Sequence, residues 1–388
     1  MTNHISKRML DVQSPMIAIV GELIAANPGT ISLGQGIVHF DPPRFVGEHA
    51  AASASLQRSN RYGLVSGIDE LIERIGTKLA EENNISVSDK QRIIVTAGSN
   101  MGFQNTILSI ADPGDEIIIQ SPYYFNHEMA IAIANCQAVV VPTDQNYQPN
   151  IAALEAAITD RTRAIITVSP NNPTGAVYSD MDLIKINQLC QDAGIYHISD
   201  EAYEYFVYDG AEHFSAASIT NSESHTISLF TLSKAYGMAG WRVGYMLIPE
   251  HLEAVIKKVQ DTNLICPPII SQLAACAALD AGKSWCDGQI SGFNDVRQLV
   301  MNELSVLQDK LIVPDVKGAF YVLMKLRKET GDLELVKKLI EDYGVAVMPG
   351  STFGVDDGTY LRIAYGALAR DSVEDGMGRL VNGLKALL

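Results

Sequence analysis

Residues 226–248 read TISLFTLSKAYGMAGWRVGYMLI. The runs 226–231 (TISLFT) and 243–248 (VGYMLI) have the length and the β-branched and aromatic content of strands. Between them lie Leu232-Ser233-Lys234-Ala235-Tyr236-Gly237 and, eight residues after the lysine, Arg242, which opens the second run. A lysine directly after an apolar strand is unusual, because taking an ammonium out of water is costly unless it is paired or chemically used.

Upstream the same kind of run recurs at 92–96 (RIIVT), 116–120 (EIIIQ), 138–141 (AVVV), 164–168 (AIITV) and 195–199 (IYHIS). Segments of helical period separate them at about 100–110, 127–135, 151–159 and 180–193, which predicts an α/β architecture with a parallel sheet of these strands covered by helices. Beyond about Lys283 the pattern changes to a long helix (about 293–312), a strand at 319–325, a helix, a short strand, a strand at 360–364 and a final helix. The expected division is a large unit over 46–284 and a smaller α+β unit made of 1–45 with 285–388. No Gly/Ser linker separates them, so a cleft between closely packed units is expected.

The bulk numbers narrow the function. With 388 residues, 47% of them hydrophobic, the chain is long enough for a large core and a second, smaller one. A net charge of −16 repels phosphates and anionic lipid, so neither nucleic acid nor a membrane is the expected partner. Five cysteines without CxxC or ligand-type spacing point to no disulfide framework, no metal site and a reducing, cytoplasmic location. The apolar stretch from Pro15 to Ala26 is interrupted by Glu22 and reads as an amphipathic N-terminal helix.

In open α/β sheets, ligands bind outside the carboxyl ends of the strands. After 92–96 comes Ala97-Gly98-Ser99-Asn100, either a plain turn or, with the N–H groups of the following helix, an anion nest. After 116–120 come Tyr123 and Tyr124, core aromatics or a plate for a flat heteroaromatic ring. Ser169-Pro170-Asn171-Asn172-Pro173-Thr174-Gly175 is a turn whose amides can donate to a ligand. Asp200-Glu201-Ala202-Tyr203 offers a carboxylate that is otherwise a helix N-cap. With Lys234 and Arg242, five strand ends bring complementary chemistry to one edge, and separate structural explanations for all of them become improbable together.

SPNNPTG (169–175), ISDEAY (198–203) and TLSKAYGMAGWRVGY (231–245), with LGQG (33–36) and YLRIAYG (360–366), resemble the class I/II aminotransferases of the fold-type-I pyridoxal-phosphate enzymes over essentially the whole chain. The order and spacing match too, with 28 residues from Asn172 to Asp200 and eight from Lys234 to Arg242. The resemblance implies an aspartate aminotransferase-like α/β fold with a mostly parallel seven-stranded sheet, pyridoxal 5′-phosphate (PLP) as cofactor, and transfer of an amino group between an L-amino acid and a 2-oxo acid such as 2-oxoglutarate.

It also implies roles. Lys234 would form the Schiff base with the cofactor aldehyde and then shuttle a proton between the substrate α-carbon and the cofactor C4′. Asp200 would keep the pyridine nitrogen protonated, Tyr203 and Asn172 would hydrogen-bond the phenolic oxygen, and Tyr124 would stack on the ring, where dicarboxylate-specific relatives carry Trp. Gly98, Ser99, Asn100, Thr231, Ser233 and Arg242 would hold the phosphate. Tyr62, in SNRYGLVSG (59–67), would reach that phosphate from a neighbouring subunit, which implies a homodimer with shared sites. Arg362 would bind the substrate α-carboxylate through a bidentate fork above Gly36.

The LGQG start resembles the branch with kynurenine, glutamine and methionine aminotransferases, although Ile37-Val38-His39-Phe40-Asp41 replaces that branch's usual continuation. His39 is read as a substrate contact or a solvated loop residue. No Lys or Arg occurs between Lys258 and Lys283, where one dicarboxylate-specific subgroup uses an arginine, so an aromatic, methionine-like or glutamine-like donor is expected. The rival readings are a C–S β-lyase, an aspartate-type aminotransferase, a catalytically dead homologue and the effector-sensing half of a transcription regulator. The last needs a DNA-binding domain for which the chain has no room.

Overall fold

The computed structural model describes residues 4–388, so the first three residues of the expected 1–45 segment lie outside the described residues. Thirteen strands are described: β1 (Ile31–Ser32), β2 (Gln91–Thr96), β3 (Glu116–Ser121), β4 (Gln137–Pro142), β5 (Thr162–Val168), β6 (Tyr196–Asp200), β7 (Thr226–Thr231), β8 (Gly244–Pro249), β9 (Leu311–Ile312), β10 (Tyr321–Leu326), β11 (Val345–Ala346), β12 (Met348–Pro349) and β13 (Tyr360–Ala364).

Seven form the central sheet in the order β2-β8-β7-β6-β5-β3-β4. β8 runs antiparallel to both of its neighbours, and the other pairings are parallel. Six strands therefore point the same way, and their carboxyl ends share one edge. The strands are apolar on both faces because both faces are covered. Ile94, Leu229 and Met246 pack with Phe103 and Ile107 on one side, while Val95, Phe230 and Leu247 pack with Leu71, Ile75 and Leu79 on the other. The latter three lie on the helix Asp69–Glu82 at a spacing of four residues, one face of a 3.6-residue period.

Local signals set the ends of elements. The helix Asp180–Ala193 begins where the Ser179 hydroxyl accepts from the Asp182 N–H (3.1 Å), and it stops at Gly194, whose φ of 67° suits a residue without Cβ. Behind the carboxyl edge, His197 on β6 contacts the Thr167 hydroxyl of β5 (2.9 Å) and the Asn187 amide of that helix (3.1 Å). Burial, with His225 nearby, pushes the His197 imidazole down to about 3, so it bridges these elements as a neutral ring and holds together the strands that carry the loops of Asn172 and Asp200.

The second sheet is antiparallel, in the order β12-β13-β10-β9. β1 pairs with β11, which ties residues 31–32 to this C-terminal part, and the helices Phe293–Ser305 and Arg370–Leu387 pack together. The mostly parallel seven-stranded sheet agrees with the sequence reading; some boundaries do not. The helix expected over 293–312 ends at Ser305, because Leu311 turns in to pair with Leu326 as β9. The helices Arg44–Ala54, Asp69–Glu82 and Ile269–Ile290 were not anticipated. The last is apolar almost all round over its first half, and Gly282 breaks its backbone (φ 69°). Arg242 lies before β8 rather than in it, in the left-handed region (φ 54°).

Candidate active site

One cavity at the carboxyl edge is lined by Ser99, Asn100, Tyr124, Asn172, Asp200, Tyr203, Thr231, Ser233, Lys234 and Arg242. The fold thus gathers most of the residues singled out in the sequence. At one end, no side chain caps the helix Ser99–Ile110, so its first N–H groups remain available to an anion. Gly98 (φ 86°) makes this possible: a Cβ there would collide with the Arg242 guanidinium. Arg242 is held by the carbonyls of Ala239 (2.9 Å) and Ala97 (3.2 Å). The Thr231 hydroxyl donates to Ser233 Oγ (2.9 Å) beside it. N–H groups, hydroxyls and a guanidinium at one end of the cavity suit an anion such as a phosphate.

At the other end Asp200 is 4% exposed. No helix follows it, so the N-cap alternative falls: Oδ1 accepts from the Ala202 N–H (3.1 Å) within a turn. Oδ2 lies 3.0 Å from His127 Nε2, and His127 packs on Phe103 and against the edge of Tyr124. His127, in the first turn of the helix Phe125–Ile133, was missed in the sequence; its spacing of three from Tyr124 is the one available signal. The Tyr124 hydroxyl accepts from Asn126 Nδ2 (2.8 Å), and burial, partly offset by Asn100 and Asn126, raises the Tyr124 pKa.

Lys234 Nζ donates to the Gly36 carbonyl (2.5 Å) and lies 5.8 Å from the centre of the Tyr203 ring. Burial first, then Arg362 and Arg242, lowers its pKa to about 8 against the opposing pull of Asp200. A neutral amine is therefore accessible near neutral pH, as a nucleophile or proton carrier requires.

Arg362, on β13, is 1% exposed. Its Nη1 donates to Asn172 Oδ1 (2.9 Å) and its Nη2 to the Gly34 carbonyl (2.6 Å), and the guanidinium lies 4.6 Å from the centre of the Tyr321 ring and 4.8 Å from that of Phe353. Its Nε has no partner among the described residues. Among the described residues it forms no ion pair with a carboxylate. A buried cation left this way is costly unless a ligand brings the counter-charge. Gly36 lies where a Cβ would collide with the Tyr321 hydroxyl.

Two sequence candidates fall elsewhere. Tyr62 is 81% exposed, on a separate groove with Leu264, Cys266 and Ile269. His39 stacks on Phe293 at 5.5 Å and is not among the residues lining the cavity.

The family model for aminotransferase class I and II matches residues 28–380. The chain belongs to the class I and II aminotransferases. An aromatic aminotransferase of Arabidopsis thaliana is 33% identical over 99% of this chain and 97% of its own. A probable aspartate/prephenate aminotransferase of Aquifex aeolicus is 34% identical over 96% of each. Among solved structures, a Thermus thermophilus aspartate aminotransferase double mutant superposes with a TM-score of 0.90 at 30% identity, covering 98% of this chain and 100% of that one. An aromatic aminotransferase from Pyrococcus horikoshii gives 0.87 at 33%, covering 95% and 99%. The protein is a PLP-dependent aminotransferase with the aspartate aminotransferase-like fold. The residues present fit the cofactor: the glycine-floored anion cradle suits its phosphate, the buried carboxylate its ring nitrogen, and the lysine its aldehyde.

Proposed function

We propose that this aminotransferase takes the amino group from an uncharged L-amino acid, of aromatic, methionine or glutamine type, and passes it to a 2-oxo acid such as 2-oxoglutarate, with Lys234 joined to the cofactor as a Schiff base between turnovers. Bound PLP supplies an aldehyde for amines and a ring that accepts the electron pair left at the substrate α-carbon. Ser99, Asn100, Thr231, Ser233 and Arg242, over Gly98, bind its phosphate. Tyr124 covers the ring, Asp200 holds a proton on the ring nitrogen, and Asn172 and Tyr203 donate toward the phenolic oxygen. Lys234 Nζ takes and returns the proton at the substrate α-carbon.

Arg362 is the observation that carries the reading. Its unpartnered Nε and buried charge call for a carboxylate, and its Nη1 also turns the Asn172 amide so that Nδ2 faces Tyr203. Binding the α-carboxylate there, close to Lys234, brings the α-carbon toward the proton carrier.

The charges support an uncharged donor. Lys234 and Arg242 are the cations lining the cavity, and both, like Arg362, already have work. No basic residue lies between Lys258 and Lys283 to meet a second carboxylate. An acidic donor is the second reading, favoured by the names of the Aquifex and Thermus relatives. A panel of amino acids, followed by conversion of the cofactor from its aldehyde to its amine form, separates the two. Phenylalanine, tyrosine, methionine or glutamine is expected to convert it about tenfold faster than aspartate, a margin of about 1.4 kcal/mol. Aspartate leading would favour the second reading, and no conversion by any amino acid would sink both. Pyruvate formed from cystathionine without an oxo acid would instead mark a β-lyase.

The proposed site spans the cleft between a 46–284 unit and a unit of 1–45 with 285–388, a division supported by the β1–β11 pairing and the break at Gly282. A homodimer completes the proposal. Tyr62 stands exposed with Leu56, Leu64 and Ile265, apolar side chains suited to a second copy whose phosphate site Tyr62 would reach. Sedimentation at twice the chain mass is expected, and a monomer at working concentration would remove Tyr62 from this role.

A further inference from the structure

Tyr321 touches three parts of the site without lining the cavity. Its hydroxyl lies 2.7 Å from that of Tyr203, its ring lies under the Arg362 guanidinium, and its hydroxyl occupies the space left by the missing side chain of Gly36. Tyr203 belongs to the loop after β6 and Tyr321 opens β10, so their hydrogen bond joins the central sheet to the antiparallel one. Register explains the second contact. Leu323 faces Arg362 across the β10–β13 ladder, and Tyr321, two residues away, shares that face.

The backbone approach to Tyr321 is tightly held. Ala319 sits in the left-handed region (φ 54°), its carbonyl accepts from the Tyr208 hydroxyl (2.6 Å), and its N–H donates to the Phe206 carbonyl (2.9 Å). Gly318 passes so close to Pro170 and Val177 that a side chain would not fit. Tyr321 is therefore anchored from the 206–208 segment, a few residues beyond Tyr203 itself.

The proton in the tyrosine pair can be assigned. Each hydroxyl has one proton, and burial keeps both pKa values raised: Tyr321 to about 12, with Arg362 and Tyr203 holding it back, and Tyr203 well above its usual value. Among the described residues, Tyr203 is the only hydrogen-bond partner of the Tyr321 hydroxyl. Were Tyr203 the donor, the Tyr321 proton would be buried without an acceptor, a cost the alternative avoids. With Tyr321 donating, the Tyr203 proton is left to point into the cavity that Tyr203 lines.

We infer that Tyr321 is a positioning residue that donates its hydroxyl proton to Tyr203, so aiming the Tyr203 proton at the cofactor's phenolic oxygen, while its ring supports Arg362 for the α-carboxylate. This rests on the proposed roles of Tyr203 and Arg362. The two functions separate by substitution. Tyr321→Phe keeps the ring and removes the proton; Tyr321→Leu removes both.

The test is a pH titration of the bound cofactor's absorbance beside steady-state kinetics. Donation to the phenolic oxygen lowers the proton affinity of the lysine nitrogen joined to the cofactor, so Tyr321→Phe is expected to raise the titration midpoint by about half a unit, the size of one weakened neutral hydrogen bond. Its KM for the amino donor should stay within about twofold of the parent. Tyr321→Leu should show the same shift and, in addition, a KM raised by about tenfold as Arg362 loses its aromatic support. In a Tyr203→Phe background, Tyr321→Phe should move the midpoint no further. An unmoved midpoint in Tyr321→Phe, or an equal additional shift in that background, overturns the inference. A parent protein whose bound cofactor does not titrate overturns the reading on which it rests, and the inference with it.

Discussion

Lys234→Ala is expected to remove the cofactor's lysine-linked absorbance and to lower turnover by about 10,000-fold, the upper range for loss of a positioned acid–base group. Among the described residues the side chain is the one primary amine lining the cavity, and its hydrogen bond to the Gly36 carbonyl holds it beside Tyr203. The variant should still bind PLP through the phosphate cradle, because Ser99, Asn100, Ser233 and Arg242 are untouched. Absorbance and dialysis measurements check both halves. Unchanged absorbance with unchanged turnover would remove the lysine from its role.

The same residue makes a pH prediction. Burial and two neighbouring arginines lower the Lys234 pKa to about 8, so the amine that attacks an aldehyde is mostly protonated below that pH and mostly neutral above it. The rate at which cofactor-free protein captures PLP should therefore rise with pH to a midpoint of about 8. A midpoint near that of an exposed lysine, about 10.4, would contradict the burial.

Asp200→Ala is expected to leave cofactor bound but to slow transfer by about a thousandfold. Asp200 is buried, 3.0 Å from His127 and fixed by the Ala202 N–H, so its charge is aimed rather than diffuse. Removing it leaves the cation it would face without a partner, a loss of roughly 3–5 kcal/mol. At 1.36 kcal/mol per tenfold, about 4 kcal/mol corresponds to that factor. Because the cradle is intact, affinity for PLP should fall far less than kcat. Single-turnover conversion of the cofactor by an amino donor measures the step directly, and turnover within tenfold of the parent would refute the assignment.

The sequence alone determined the central sheet and the identity of the groups at its edge. Strands buried on both faces must be apolar throughout, so 116–120, 164–168 and 226–231 announce themselves. Residues just after such strands fall on one edge by topology, and so Asn172, Asp200 and Lys234 could be read as one site before any contact was known. The helix Ile269–Ile290 escaped because it is buried on nearly every side over its first half and so loses the 3.6-residue alternation that marks a surface helix.

Only the tertiary structure decided the support around those groups. His127 under Asp200, Tyr321 against Tyr203 and the Asn172–Arg362 bond join residues 73, 118 and 190 positions apart, and each rests on where separate elements come to lie. The open Nε of Arg362 is likewise a fact of burial. Local sequence sets backbone period and side-chain type, because those depend on near neighbours. The choice of hydrogen-bond partner and the depth of a charge depend on packing between distant segments, and in this protein they lower the lysine's pKa and bring Tyr321 against Tyr203.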